Sequence, residues 1–459
     1  MTSNISKDIF KAYDIRGIVN ETLTKDAIIG IAKAYATKAV KRQVTDVVVG
    51  RDGRLSGKEI VDLLIETLIR CGLNVIDIGQ VATPMLYFAA HQWTNGSGIM
   101  ITGSHNPSEY NGFKMMLAGE TLFGDTIKSL FEIICSGQYF ITKNQGKLKQ
   151  QDISKLYQDA ISQDVQLKRP MKVIVDAGNG IAGQYVGALY RAIGCDLIEL
   201  FCDVDGTFPN HHPDPAKPEN LQDIKLKLQN SDAQIGLAFD GDGDRLGVVT
   251  KDGNIIYPDR LLMLFSEDIL SRNKNASIIY DVKCTRLLAP WIISRGGNPI
   301  ISKTGHSYIK ASMKHHNALL AGEMSGHIFF QERWFGFDDG LYAGARLLEV
   351  LSCYENPSAF LNSLPNAIST PEINIPMQKE GQNHELIRQI QLQAKFKNTK
   401  KIIDIDGLRV EYADGFGLIR ASNTTPVLVL RFEADNEVAV ERIQNEFRMV
   451  LQAFSNLTF

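Results

Sequence analysis

Between residues 239 and 245 the chain reads FDGDGDR, so Asp240, Asp242 and Asp244 alternate with glycines directly after the apolar run QIGLAF. Glycine allows the backbone to turn tightly enough for alternate carboxylates to converge. Oxygen ligands of that kind suit a hard dication such as Mg²⁺, and without one the charges would repel. An EF-hand loop opens with the same D-x-D-x-D, but it requires glycine at its sixth position and glutamate at its twelfth. This chain has Arg245 and Lys251 there. Read alone, the segment could also be a solvated acidic turn.

A second candidate is ITGSHNPSEYNGFKM (101–115), which places Ser104 beside His105 and follows with Asn106, Asn111 and Lys114. A serine in such a loop can attack phosphorus, cap a helix or occupy a turn, and capping is the default for an isolated case. Acyl transfer is disfavoured, because a serine-hydrolase elbow needs G-x-S-x-G and neither TGSHN nor GEMSG supplies it. Phosphoryl transfer fits better, since it asks chiefly for positioning and charge neutralisation, which a serine opposite metal-binding carboxylates provides.

GEMSGH (322–327) spaces Glu323, Ser325 and His327 by two in a glycine-flanked loop, as paired donors and acceptors for vicinal sugar hydroxyls would be, or as a turn would be. RASNTTP (420–426) sets one arginine beside small hydroxyl and amide side chains, a nest for phosphate oxygens. KAYDIRG (11–17), DVKCTR (281–286) and KTGHS (303–307) add basic or aromatic groups near expected loops, each weak by itself. GNGIAG (178–183) is a complete G-x-G-x-x-G after the strand MKVIVD, with Asp196 and Glu199 at a ribose-binding distance. Asp176 stands where a pyrophosphate would approach, however, and no hydride-transfer constellation accompanies it. GRDGRLSGK (50–58) imitates a P-loop but has Asp52 where glycine is needed.

Positioning these loops requires a repeated scaffold. VVVGRDGR (47–54), VIVDAGNG (173–180) and IIYDVKCT (278–285) share one grammar, a β-branched strand ending in a polar turn with an aspartate and then a helical pattern. That is the signature of βα units in buried, mostly parallel sheets. At 459 residues the chain exceeds one core, and about 150 residues per domain suggests three or four. The polar stretch 141–170 joins the first unit to the second through a helix, and KDGNIIYP (251–258) marks the next break. The antiparallel pattern of IIDIDGLRVEYADGFGLIRASN and VLVLRFEA, followed by a helix, begins near 367. The expected domains are therefore 1–150, 151–252, 253–366 and 367–459, three α/β units and a smaller C-terminal α+β unit.

With net charge −3 and 44% hydrophobic residues, no global positive field favours nucleic acid or an anionic membrane. No apolar run reaches a membrane span. The expectation is a soluble, cytoplasmic monomer that acts on small molecules. Cysteines 71, 135, 195, 202, 284 and 353 show no CxxC spacing and read as reduced, buried thiols.

Taken in order, KAYDIRG, TGSHNP, NGFK, DGDGDR, DVKCTR, KTGHS, GEMSGH and RASNTTP resemble the α-D-phosphohexomutases, closest to the bacterial phosphomannomutase/phosphoglucomutase group, from about residue 8 to the C-terminal helix. The resemblance implies four domains around a central cleft. It implies a structural role for Gly178 and Gly180, a phosphorylated Ser104, and Mg²⁺ bound by Asp240, Asp242, Asp244 and that seryl phosphate. It further implies interconversion of hexose 6-phosphate and hexose 1-phosphate through a hexose 1,6-bisphosphate that turns over between two transfers.

Arg420, Ser422, Asn423 and Thr424 match the family's anchor for the non-reacting phosphate, and Glu323 and Ser325 its hold on the C3 and C4 hydroxyls. Arg245 matches a contact to phosphate or substrate; Tyr13, Lys283 and His306 match cleft-lining positions. Arg16, His105, Lys114 and His327 are the candidates for proton transfer, with no choice among them. The SNT form of the phosphate loop resembles mutases of mannose and glucose phosphates. A metal-dependent phosphatase using Ser104 and an oxidoreductase binding nucleotide at GNGIAG are the alternatives.

Overall fold

The computed structural model describes residues 5–140, 142, 144–379, 381–423, 425–455 and 457–459. The described residues form two compact units, one falling within 1–258 and 325–363, the other within 259–324 and 364–459.

The first unit contains two mixed sheets. In one, the strand Asp46–Arg51 lies between Asn74–Gln80 and Gly98–Ile101 and runs parallel to both. Tyr110–Leu117 then pairs antiparallel with Gly98–Ile101 and with Ile15–Ile18. In the other, Met171–Asp176 lies parallel between Cys195–Leu200 and Ile235–Phe239, and Leu246–Thr250 returns antiparallel. Val47, Val48 and Val49, like Val173, Ile174 and Val175, are fully buried, as continuous apolar runs in a two-sided core must be. In the second unit Ser277–Asp281 pairs parallel with Asn298–Ser302 and Leu320–Gly322. All three repeated strands are thus central, and each delivers its polar turn at a carboxyl end, where open α/β sheets place ligand sites.

The C-terminal part of the second unit is antiparallel. Val427–Ala434, Gly415–Ala421, Leu408–Glu411 and Lys401–Ile403 follow one another across the sheet, with helices Gln382–Gln393 and Glu437–Phe454 supplying apolar faces around Ile390, Ile443 and Phe447. The four-domain α/β architecture expected from the sequence is present.

Two local expectations need amendment. The polar stretch after residue 140 does contain a helix, Ser154–Asp164, but it also holds the short strand Leu148–Gln150, which adds to the edge of the first sheet beside Asn74–Gln80. An edge strand exposed along its length shows no alternation to read. Among the described residues the six cysteines are free thiols, but Cys135 and Cys353 are exposed rather than buried, because each sits on the outer side of a helix or just beyond its end. No helix among the described residues is long and apolar enough to cross a membrane.

Within the first unit the N-cap of helix Gly340–Leu351 is a fully buried carboxylate. Asp339 accepts hydrogen bonds from the Tyr342 amide at 2.9 Å, the Tyr157 hydroxyl at 2.8 Å and the Trp334 indole at 3.1 Å. Burial is the largest influence and pushes its pKa up to about 7. A carboxyl raised in the folded state favours folding while protonated, and that contribution is lost as pH rises from the unfolded value through the folded one. Between pH 4 and 7 the wild type should therefore lose stability relative to Asp339→Asn, by at most about 4 kcal/mol, and no further difference should accrue above pH 8. Urea denaturation of both proteins across this range checks it; a pH-independent difference would contradict it.

Candidate active site

The strands Gly98–Ile101 and Tyr110–Leu117 pair Met100 with Lys114 and Ile101 with Phe113, so the intervening loop and Lys114 emerge at one end of the hairpin. Ser104 is buried in that loop with φ of 51°, a left-handed backbone that a non-glycine residue adopts at a cost. Its amide donates to Thr102 Oγ1 at 2.7 Å. Its Oγ lies 3.1 Å from His105 Nδ1 and 3.4 Å from Asp240 Oδ2. The serine and the acidic loop, far apart in sequence, therefore meet.

Asp240, Asp242 and Asp244 have no solvent exposure, and one ligand oxygen from each lies within 4.8 Å of the others. Asp240 Oδ1 accepts the amides of Asp244 and Arg245 at 3.0 and 3.1 Å. Asp242 Oδ2 accepts from Thr83 Oγ1 at 2.6 Å and from Lys114 Nζ at 2.7 Å, and Lys114 also bonds Asp244. Thr83 opens the helix Thr83–Trp93, whose N-terminal partial charge favours a carboxylate. Gly241 is required by closeness: a Cβ there would stand 2.4 Å from the Ser104 carbonyl oxygen.

Burial, with Asp244 and Asp242 nearby, pushes Asp240 well above the carboxylate range. Burial would also raise Asp242, but Lys114 and the hydrogen bonds from Lys114 and Thr83 outweigh it and hold it below that range. Lys114 responds in kind: burial would lower it, and Asp242 and Asp244 hold it well above its ordinary value. Asp242 Oδ1 and Asp244 Oδ1 are buried with no hydrogen-bond partner. Three buried carboxylates with ligand oxygens within 4.8 Å of one another, all of them hard donors, fit a divalent cation.

Around this cluster stand the other charged candidates. Arg245 Nε donates to His327 Nε2 at 3.1 Å and lies 3.7 Å from Asp240 Oδ2. An arginine only donates, so Nε2 of His327 accepts and Nδ1 carries the proton, facing Asp338 Oδ2 at 3.2 Å and Asp244 Oδ1 at 3.4 Å. Arg16 donates to Asn106 Oδ1 at 2.7 Å and to Asp14 Oδ2 at 2.5 Å. Burial, then the cations Arg245 and Arg16, hold the His105 imidazole well below its usual value, so it is neutral beside the Ser104 hydroxyl. Tyr13 and Ser325 are half-buried in the same unit.

In the second unit carboxylates organise the remaining candidates. Asp281 accepts Thr304 Oγ1 at 2.9 Å, the Met324 amide at 3.2 Å and Cys284 Sγ at 3.1 Å. Glu323 Oε1 accepts the Gly305 amide at 2.5 Å, beside His306 at the start of helix His306–His316. Lys283 pairs with Glu372 at 2.7 Å. Asp406 Oδ2 accepts both the Thr304 amide and Arg420 Nε at 3.0 Å. Ser422 and Asn423 follow Arg420 in a turn gathered by Asn383 Nδ2, which donates to the carbonyls of Ser422 at 3.0 Å and Val427 at 3.1 Å. Thr424 lies outside the described residues.

The glycine-rich turn proves to be packing. A Cβ on Gly180 would lie 3.0 Å from Gly241 Cα, and the Ile181 amide donates to the Gly241 carbonyl at 3.1 Å. Asp176 Oδ1 accepts the Gly178 amide at 2.9 Å, and the His211 ring lies 3.1 Å from the same oxygen. The turn backs the acidic loop, and its glycines are required by that close main-chain approach. The sequence reading missed Thr83, Asp338, Asp406 and Asn383, and met Asp281 only as the first residue of DVKCTR. Of these, Asp338 had a readable cue, the acidic pair of FDDGLY ahead of an apolar helix.

Matches to known proteins place the chain in a family. Descriptions of the phosphoglucomutase/phosphomannomutase α/β/α domains I, II and III match residues 7–139, 153–253 and 257–367, and that of the C-terminal domain matches residues 372–450. The chain is 59% identical over 455 residues to a phosphoglucomutase of Neisseria meningitidis, covering 99% of both proteins. It is 53% identical over 446 residues to a phosphomannomutase/phosphoglucomutase of Pseudomonas aeruginosa, covering 97% of this chain and 96% of the relative. A crystal structure of a family protein from Burkholderia thailandensis superposes with a TM-score of 0.94 at 53% identity, covering 99% of this chain and 100% of that one. The chain belongs to the phosphoglucomutase/phosphomannomutase family and is a hexose-phosphate mutase.

Proposed function

We propose that Ser104 carries the phosphoryl group this mutase moves, and that its substrates are the 1- and 6-phosphates of mannose and glucose. The observation that carries the reading is the 3.4 Å approach of Ser104 Oγ to Asp240 Oδ2, which sets the hydroxyl against the only loop of its kind in the sequence. Relatives named for glucose and for mannose phosphates, together with the SNT form of the loop after Arg420, support both sugars.

Asp240, Asp242 and Asp244, with an oxygen of the Ser104 phosphate, would hold Mg²⁺. When bound, the cation draws charge from phosphorus and from the seryl oxygen. The substrate's free hydroxyl oxygen bonds to phosphorus as the bond to Ser104 Oγ breaks, giving a hexose 1,6-bisphosphate. The hydroxyl proton leaves to a base, and the serine oxygen gains one. After the bisphosphate turns around, Ser104 Oγ takes its other phosphoryl group, and the isomer departs. Trace bisphosphate recharges an enzyme that has lost its phosphate.

His105 is suited to the proton exchanged at Ser104, being neutral and 3.1 Å from Oγ. Lys114 and Arg245 serve as fixed cations against the transferring charge. Arg420, Ser422, Asn423 and Thr424 hold the phosphate that stays. Glu323 and Ser325 take sugar hydroxyls, while Tyr13, Lys283, His306 and His327 complete recognition, and Arg16 steadies the serine loop through Asn106. Small sugar phosphates call for neither a membrane nor a nucleic acid, and a cytoplasmic monomer suffices for them.

Phosphorus NMR of the protein with mannose 1-phosphate, Mg²⁺ and catalytic glucose 1,6-bisphosphate should show mannose 6-phosphate accumulating. Ser104→Ala should lower kcat by on the order of 10⁴-fold or more; near-normal turnover in that variant would remove the serine from the mechanism. Chelation with EDTA should stop the reaction and added Mg²⁺ restore it. Asp242→Asn should cost about 10²–10³ in kcat, and activity that survives chelation intact would refute the metal assignment.

A further inference from the structure

GRDGRLSGK resembles a P-loop without being one, and no step above uses it. Its second arginine is among the most enclosed cations of the first unit, with Arg54 2% exposed. Its Nη1 donates to the carbonyl oxygens of Pro107 at 2.6 Å and Tyr110 at 3.0 Å, and its Nη2 to those of Ser104 at 2.8 Å and Asn106 at 2.5 Å. Nε lies 3.3 Å from Asp52 Oδ2, the oxygen that also accepts the Gly103 amide. The Phe208 ring covers the guanidinium at 5.2 Å.

All four carbonyls belong to residues 104–110, the segment that carries Ser104. Buried carbonyl dipoles aimed at one point repel one another, and each is costly if left without a donor. A planar fork with five donors satisfies them together, whereas a lysine offers three donors on a point charge. What is held this way is Ser104 in its left-handed backbone, φ 51°, and Asn106, whose side chain accepts Arg16. General support of the fold would spread such bonds over several elements, but here every carbonyl acceptor lies in one functional loop.

We propose that Arg54 is a positioning residue for phosphoryl transfer: by gathering the carbonyls of Ser104, Asn106, Pro107 and Tyr110 it fixes the serine oxygen against the carboxylate loop. This rests on Ser104 being the phosphoryl carrier. Arg54 itself touches neither the transferred group nor the sugar; it acts through the backbone, so its loss should reach turnover rather than ground-state binding of the sugar phosphate, whose other contacts it leaves alone.

The test uses the full-length protein as wild type, Arg54→Lys and Arg54→Gly. Each is incubated with Mg²⁺ and glucose 1,6-bisphosphate, phosphate on Ser104 is followed by intact-mass spectrometry, and kcat and KM are measured with mannose 1-phosphate. For R54K, kcat should fall about 10²-fold, the size of effect expected of a misplaced reacting atom. KM should stay within about threefold. For R54G, millimolar guanidinium should raise kcat at least about tenfold, and equal ammonium chloride should not. Wild-type kcat in R54K, KM rising in step with the fall in kcat, or a folded R54G that guanidinium does not rescue would each overturn the proposal. If R54G does not fold, the division between kcat and KM in R54K decides. A wild type that takes no phosphate on Ser104 would instead overturn the phosphoserine reading on which it rests, whereas a wild type and an R54K that charge and turn over alike sink the role of Arg54 alone.

Discussion

Asp240, Asp242 and Asp244 are fully buried with ligand oxygens within 4.8 Å of one another, and the first unit is arranged around that crowding. At an effective dielectric near 20, two such charges repel by roughly 3 kcal/mol or more, so a site of this kind persists only where cations and donors are built in. Lys114 bonds two of the carboxylates, the Thr83 helix points its N-terminus at Asp242, and two backbone amides turn toward Asp240. These partners leave Asp242 Oδ1 without a hydrogen bond, and Asp244 Oδ1 facing the His327 ring at 3.4 Å. A scaffold that offsets repulsion around converging carboxylates suits a dication, and the seryl oxygen lies beside one of them.

Bringing the serine there is a matter of backbone clearance as much as charge. The Gly241 position lies so near the Ser104 carbonyl that no side chain fits, and Gly180 packs against the other side of the same loop. Three stretches from separate parts of the chain thus meet main chain to main chain. Such contact is possible because each leaves the carboxyl end of a strand in a rigid sheet. The glycine pattern that mimics a dinucleotide fingerprint is one consequence: close helix and loop packing asks for the same residues as close approach of a pyrophosphate.

Much of this was legible from sequence, and the reason divides by distance along the chain. DGDGDR was legible as a cluster because the three carboxylates that converge are close neighbours in the sequence, so their spacing carries the geometry. The three central strands were likewise readable, since a run such as VIVD between turn residues has few alternatives. Thr83 was not readable: its role exists only through Asp242, 159 residues away, and a Thr-Pro start of a helix is ordinary by itself. The strand Leu148–Gln150 was missed because pairing at a sheet edge needs no apolar pattern, and the outward thiols of Cys135 and Cys353 because helix phase near an end is poorly determined.

The least legible residues share one physical task. A functional loop cannot pair its carbonyls within a sheet, yet once buried those carbonyls need donors. In both units the solution is a donor side chain reaching in from elsewhere. Arg54 serves the serine loop, and Asn383 serves the turn after Arg420. Arg409 donates to the carbonyls of Val282 and Cys284 on either side of Lys283, and Arg431 bonds the Lys283 carbonyl itself. Arg54 and Asn383 lie in polar stretches where nothing singles them out, while Arg409 and Arg431 look like isolated polar residues inside apolar strands. Arg409 and Arg431 alternate with valines and leucines in their strands, where a solvated face would be the ordinary reading, but both are almost fully buried. A buried cation with carbonyl partners is therefore a better marker of a held loop than any local motif. Rigidity of that kind is what a reaction dependent on preorganised charge requires, because donors already in place need not reorganise as phosphorus moves.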